Sequence, residues 1–92
     1  MKQFFLEGEI NGVPGVVRWY VVGPAQRTLL WFDEELVQEM LRSDVATEMF
    51  SRLEVKEAHG PPPSVGAEPP AYGATLRGGV VVAGYLVKRK TP

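Results

Sequence analysis

His59 is the only histidine of the 92-residue chain, and it opens a tract, Gly60 to Gly73, that also carries Ser64. An imidazole ionises near neutral pH and can act as a general base or a metal ligand. His59 with Ser64 is therefore where a small hydrolytic enzyme would be sought. The local sequence Pro62-Pro63-Ser64-Val65-Gly66 argues against it, because a nucleophile elbow needs glycine where Pro62 stands and a strand running straight into the serine. With no second catalytic partner in view, His59 reads as an exposed loop residue. No catalytic residue is assigned, and the chain reads as more a binding protein than an enzyme.

Asp33, Glu34 and Glu35 offer the oxygen ligands that Mg²⁺ or Ca²⁺ prefers. Successive side chains on a helix point about 100° apart, and acids at a helix N-terminus are already favoured by the macrodipole. The structural role is the simpler one, so no metal site is assigned. Neither G-x-x-x-x-G-K-[ST] nor G-x-G-x-x-G occurs, and no cofactor is expected. The chain has no cysteine, which removes disulfides, thiolate zinc sites and thiol nucleophiles.

Lys88, Arg89 and Lys90, with Arg77, give the last sixteen residues a charge of +4 without an acid. Such a strand could bind nucleic acid weakly through phosphate contacts, with Arg18-Trp19-Tyr20 supplying rings to stack on bases. The strand register places Trp19 in the core, so a basic terminus that aids solubility is the preferred reading. Three tail charges are also too few to hold the chain on a membrane. Pro69-Pro70-Ala71-Tyr72 matches the short P-P-x-Y pattern of proline-recognition ligands. A four-residue match in a proline-rich stretch is expected by chance, and Tyr72 is better read as the start of a strand.

The elements that would position these residues follow from patterning. Residues Lys2 to Ile10 alternate as a strand with Phe4, Leu6 and Ile10 on one face, and run into Asn11-Gly12, a strong hairpin signal. A two-residue turn there pairs Ile10 with Val13, Leu6 with Val17 and Phe4 with Trp19, and turns Glu7, Glu9 and Arg18 outward. Pro14 implies an irregular edge beside that turn. Thr28 to Phe32 reads as a third strand with apolar residues on both faces. Asp33 is the expected N-cap of a helix, with Phe32 and Val37 as its hydrophobic staple.

That helix hides a change of phase. Leu36, Val37, Met40 and Leu41 share one side, whereas Val45, Ala46, Met49, Phe50 and Leu53 lie roughly opposite at 100° per residue. We expect a break near Arg42 to Asp44, with Ser43 or Asp44 capping a second short helix. A helix straight through Ser43 would need cover on both faces. Leu53 to Lys56 reads as a short strand, with continued helix the alternative. Ala74 to Arg77 and Val80 to Arg89 flank Gly78-Gly79 as a second hairpin, and the two-sided apolar run from Val80 to Val87 belongs inside the sheet.

Composition sets the outer limits. The 45% apolar share, with aromatic residues along the whole chain, suits a single folded domain over residues 1–92. The start MKQFFLEGE has no secretory apolar core, and Val80 to Val87 is far short of the roughly 20 residues of a membrane span. A cytoplasmic protein is expected, and the absence of cysteine with a single asparagine leans toward a thermophilic source. Net charge is −1, but Asp33 to Glu57 carries −5 and the remainder +4, an asymmetry suited to an oriented partner.

The expected fold is thus α+β: a mostly antiparallel sheet of about five strands, one or two helices on one face, and a proline- and glycine-rich surface loop over residues 60–73. Val16, Tyr20 and Val22 lie opposite the core face of the second strand, an apolar surplus that one helical layer cannot cover. A non-enzymatic interaction or regulatory domain that self-assembles, most simply as a dimer, is the expected function. Val16, Tyr20, Val22 and Tyr72, with Lys88, Arg89 and Lys90, are its candidate interaction residues.

Overall fold

The computed structural model describes residues 2–23, 28–64 and 69–87. Within them the chain runs β1 (Phe4–Ile10), β2 (Val16–Val22), β3 (Leu29–Leu30), α1 (Glu34–Arg42), α2 (Val45–Met49, a π-helical turn), β4 (Phe50–Glu57), β5 (Tyr72–Thr75) and β6 (Val81–Val87). The strands form one antiparallel sheet in the order β4-β1-β2-β6-β5, with β3 on β2 outside that path. The α+β class is as expected, with six strands rather than five.

The Asn11-Gly12 turn forms: the Val13 N–H donates to the Ile10 carbonyl at 3.0 Å, and Gly12 takes a φ of 77°. The strands, however, do not pair in the register of a two-residue turn. Leu6 faces Trp19 and Gly8 faces Val17, a shift of two residues. Pro14 has no N–H to give the ladder and Gly15 bends at φ 102°, so the loop lengthens before β2 begins. A shift of two leaves each side chain on its face, which is why alternation rejects a one-residue slip and is blind to this one.

Beyond Leu6 and Trp19, β1 and β2 take different partners. Phe4 exchanges two backbone hydrogen bonds of 2.8 Å with Phe32, while Val21 and Val22 pair with Leu30 and Leu29. The third strand is therefore only two residues and an isolated bridge, shorter than Thr28 to Phe32. It still presents residues to both sides, since Phe32 is fully buried in the core and Trp31 packs on the opposite face against Phe5.

Asp33 caps α1, its Oδ1 accepting from the Leu36 N–H at 2.8 Å, and Phe32 and Val37 both enter the core as a staple would. The helix ends where the phase change requires. Ser43 is extended (φ −74°, ψ 158°), its N–H and Oγ both donate to the Met40 carbonyl, and its Oγ accepts from the Ala46 N–H at 3.4 Å. Asp44 makes no side-chain cap. The redirected chain brings Val37 and Met40 from α1 and Val45 and Met49 from α2 onto one core. The two apolar stripes consequently need no second subunit to cover them.

That core is the helix-side face of the sheet, with Leu6, Ile10, Val17, Trp19, Val21 and Val82 buried beneath the helices. β4 is a strand, not continued helix, and places Phe50 and Leu53 against the same core. β6 lies between β2 and β5, with Val82, Ala83 and Gly84 buried. Its hairpin to β5 is one residue longer than expected: Leu76 N–H donates to the Val80 carbonyl at 2.7 Å, leaving Arg77-Gly78-Gly79 as the loop, with φ of 90° and 84° at the two glycines. Tyr72 and Gly73 belong to β5, so the tract assigned to residues 60–73 gives way to strand at Tyr72. Residues 58–64 and 69–71 carry neither helix nor strand.

Candidate interaction surface

The face turned away from the helices is built by the other half of the alternation. On its apolar side, Tyr20 packs between Trp31 and Tyr85, with ring centroids 5.3 and 5.9 Å away, and Trp31 continues to Phe5 at 5.6 Å. The Arg18 guanidinium stands 4.6 Å from the centre of the Phe5 ring. The Trp31 indole N–H donates to the Gly60 carbonyl at 2.9 Å, which ties the start of the proline tract to this face. The rings of Phe5, Trp31, Tyr20 and Tyr85 pack on one another, and on this face Tyr20 is 5% exposed, Val16 8%, and Val22 half-buried.

The other side of this face is a charge lattice on β4, β1 and β2. Glu7 bonds Arg18 and Lys56, and Arg52 bonds Glu9 and Glu54. Burial pushes the Glu7 carboxyl up, but the Arg18 and Lys56 hydrogen bonds and charges outweigh it and hold the group below its ordinary value. Burial likewise draws the Arg18 guanidinium down, and Glu7 together with Tyr20 more than offsets this. Each charge is matched across or along the strands, so this part of the face is a satisfied, solvated lattice.

The sheet ends at β4, which pairs with β1 alone among the described strands. The hydrogen-bond parity of that pairing is set by Ala58, whose N–H donates to the Gln3 carbonyl at 2.8 Å, and by Phe4, whose bonds go to Phe32 on the far side of β1. Lys56 and Glu54 therefore direct their peptide groups at β1, whereas Leu53, Val55 and Glu57 direct theirs outward. Val55 is 40% exposed, and with Leu41, at 36%, it borders a groove of about 380 Å³ between β4 and α1.

The residues singled out by sequence are dispersed over this framework. Tyr72 sits on the helix side of the sheet, half-buried, its ring 6.5 Å from that of Trp19, so it is packed and not displayed. His59 and Ser64 are exposed in the segment after β4. Asp33 serves as the helix cap with Glu34 and Glu35 exposed beside it, and among the described residues no three His, Cys, Asp or Glu side chains converge on a metal-sized site. Arg77 lines a cleft with Glu39, Arg42 and Asp44, where two acids balance two bases. Lys88, Arg89 and Lys90 lie outside the described residues. No described helix is long and apolar enough to cross a membrane.

Sequence reasoning passed over Phe5, Trp31 and the outer edge of β4. The alternating Arg52, Glu54 and Lys56 held the last signal, since opposite charges at every second residue suit a strand with one solvated face. Fold and surface together define a small antiparallel α+β domain with helices on one face and, among the described residues, an unpaired strand at one edge. No protein-family model matches the chain, and no curated protein or solved structure does either.

Proposed function

We propose that this chain is a non-enzymatic interaction domain that assembles with copies of itself, most simply as a dimer. One observation carries the reading: an eight-residue edge strand, β4, with outward peptide groups and an exposed apolar margin at Val55 and Leu41. Unpaired strand edges are templates for further pairing, and a symmetric dimer satisfies such an edge with its own copy. The exposed, solitary His59 offers no comparable basis for catalysis. On this reading the domain works in the cytoplasm.

Light scattering across a wide concentration range tests it. The solution mass is expected to rise from one chain to two as concentration increases. A mass fixed at one chain at the highest attainable concentration overturns self-assembly.

A further inference from the structure

Resting on that reading, we propose that two copies pair antiparallel along β4, with the two-fold axis at Val55, so that their sheets become continuous. Parity supports this register first. Because Leu53, Val55 and Glu57 direct their peptide groups outward, a two-fold at Val55 makes Val55 with its mate a hydrogen-bonded pair, flanked by two more between Leu53 and Glu57 of opposite copies.

Charge supports it next. The two-fold at Val55 sets Glu54 of each copy opposite Lys56 of the other, giving two cross-strand pairs of opposite sign. An axis at Glu54 would instead oppose Glu54 to its own mate and Arg52 to Lys56, like against like throughout. An axis at Leu53 would also match charges, Arg52 with Glu54, but it needs a regular ladder at Ser51. The β1–β4 pairing slips there, from Glu9 opposite Arg52 to Ile10 opposite Phe50, leaving Ser51 as the extra residue of a bulge. The stretch from Leu53 to Glu57 is free of that irregularity.

Apolar cover completes the argument. Paired residues share a face, so Val55 and its mate meet on the helix side, where the half-exposed Leu41 of each α1 borders the same groove. The opposite sheet edge does not compete: β5 has four residues and follows Pro69 and Pro70. A seam of a few strand residues buries less than a standard interface, so the dimer dissociates on dilution.

Val55→Pro isolates the seam. The Val55 N–H points away from β1, so proline removes no bond of the β1–β4 ladder, yet it deletes both central bonds between copies. Loss of two such bonds is expected to weaken dimerisation roughly ten- to hundredfold with circular dichroism unchanged. Val55→Cys supplies a second readout in a chain that has no other cysteine. Hydrogen-bonded partners lie about 5.5 Å apart at Cα, within the span of a disulfide. Mild oxidation is expected to give covalent dimer from Val55→Cys and none from Ser51→Cys.

If the native chain dimerises, Val55→Pro dimerises equally well and Val55→Cys stays uncrosslinked, the β4 seam is overturned while self-assembly stands. Covalent dimer from Leu53→Cys in place of Val55→Cys overturns the register alone. A native chain that stays monomeric removes both readings. Should Val55→Pro fail to fold, the cysteine variants decide.

Discussion

The Arg18 guanidinium donates two hydrogen bonds to one carboxylate oxygen of Glu7, from Nε at 2.7 Å and Nη2 at 2.5 Å, directly across the β1–β2 pair. The Glu7 side chain is only 12% exposed and also accepts from Lys56 at 3.1 Å. It is the hub of the charge lattice, holding β4, β1 and β2 in register on the helix-free face.

Glu7→Gln is expected to lower stability by about 1–2 kcal/mol at pH 7, the scale of a charge-assisted bond between partly exposed partners. The pH dependence follows from the sign of the shift. The folded carboxyl lies below its ordinary 4.5, so its stabilisation is present above the unfolded value and is lost as pH falls from about 4.5 toward the folded one. Urea titrations at pH 7 and pH 3 should show the gap between native and variant shrinking in acid. A gap that grew in acid would contradict the assignment.

Gly8 and Gly84 mark where neighbours leave no room for a side chain. A Cβ on Gly84 would lie 2.7 Å from Val17 Cγ1 and 3.1 Å from the Trp19 ring; one on Gly8 would meet the Arg52 carbonyl oxygen and the Phe50 ring. Side chains can shift, but the backbone of a paired strand yields less. Gly84→Ala is expected to cost roughly 1–3 kcal/mol and Gly8→Ala more than that. Denaturant midpoints of the two variants give the order directly.

Asp33→Ala removes the acceptor for the Leu36 N–H and should destabilise by about 1 kcal/mol, whereas Asp33→Asn should retain most of the cap. Thermal unfolding of the pair separates the cap from a general effect of lost charge.

Trp31→Phe keeps an aromatic ring beside Phe5 and Tyr20 but removes the N–H that reaches the Gly60 carbonyl. Global stability should fall by about 1 kcal/mol or less. Hydrogen exchange in residues 58–60 should accelerate by more than that loss alone explains. Equal acceleration throughout the sheet would mean that the ring, not the bond, is what matters there.

Much of this architecture is legible in the order of residues. Alternation from Phe4 to Ile10 identifies the first strand and its buried face, Asp33 announces the helix it caps, and the opposed stripes around Ser43 require the break that redirects the chain. These are local matters, decided by side-chain spacing and by where a polar oxygen can reach an unpaired N–H within three residues. The glycines at 12, 78 and 79 belong with them, since positive φ favours a residue without a Cβ.

Tertiary structure decided what depends on partners remote in sequence. The two-residue shift of β1 against β2, the bridge from Phe4 to Phe32, and the rings of Tyr20, Trp31 and Tyr85 covering one another all need contacts that alternation does not distinguish. The candidate surface is of the same kind. The alternation of Arg52, Glu54 and Lys56 suits a strand with one solvated face, but it is the strand order that puts β4 at the rim of the sheet, and only its pairing with β1 determines which peptide groups are left facing out. Side-chain pattern follows from sequence because it is periodic along one strand; an unpaired edge is a property of the whole sheet, set by which strands the chain places beside one another.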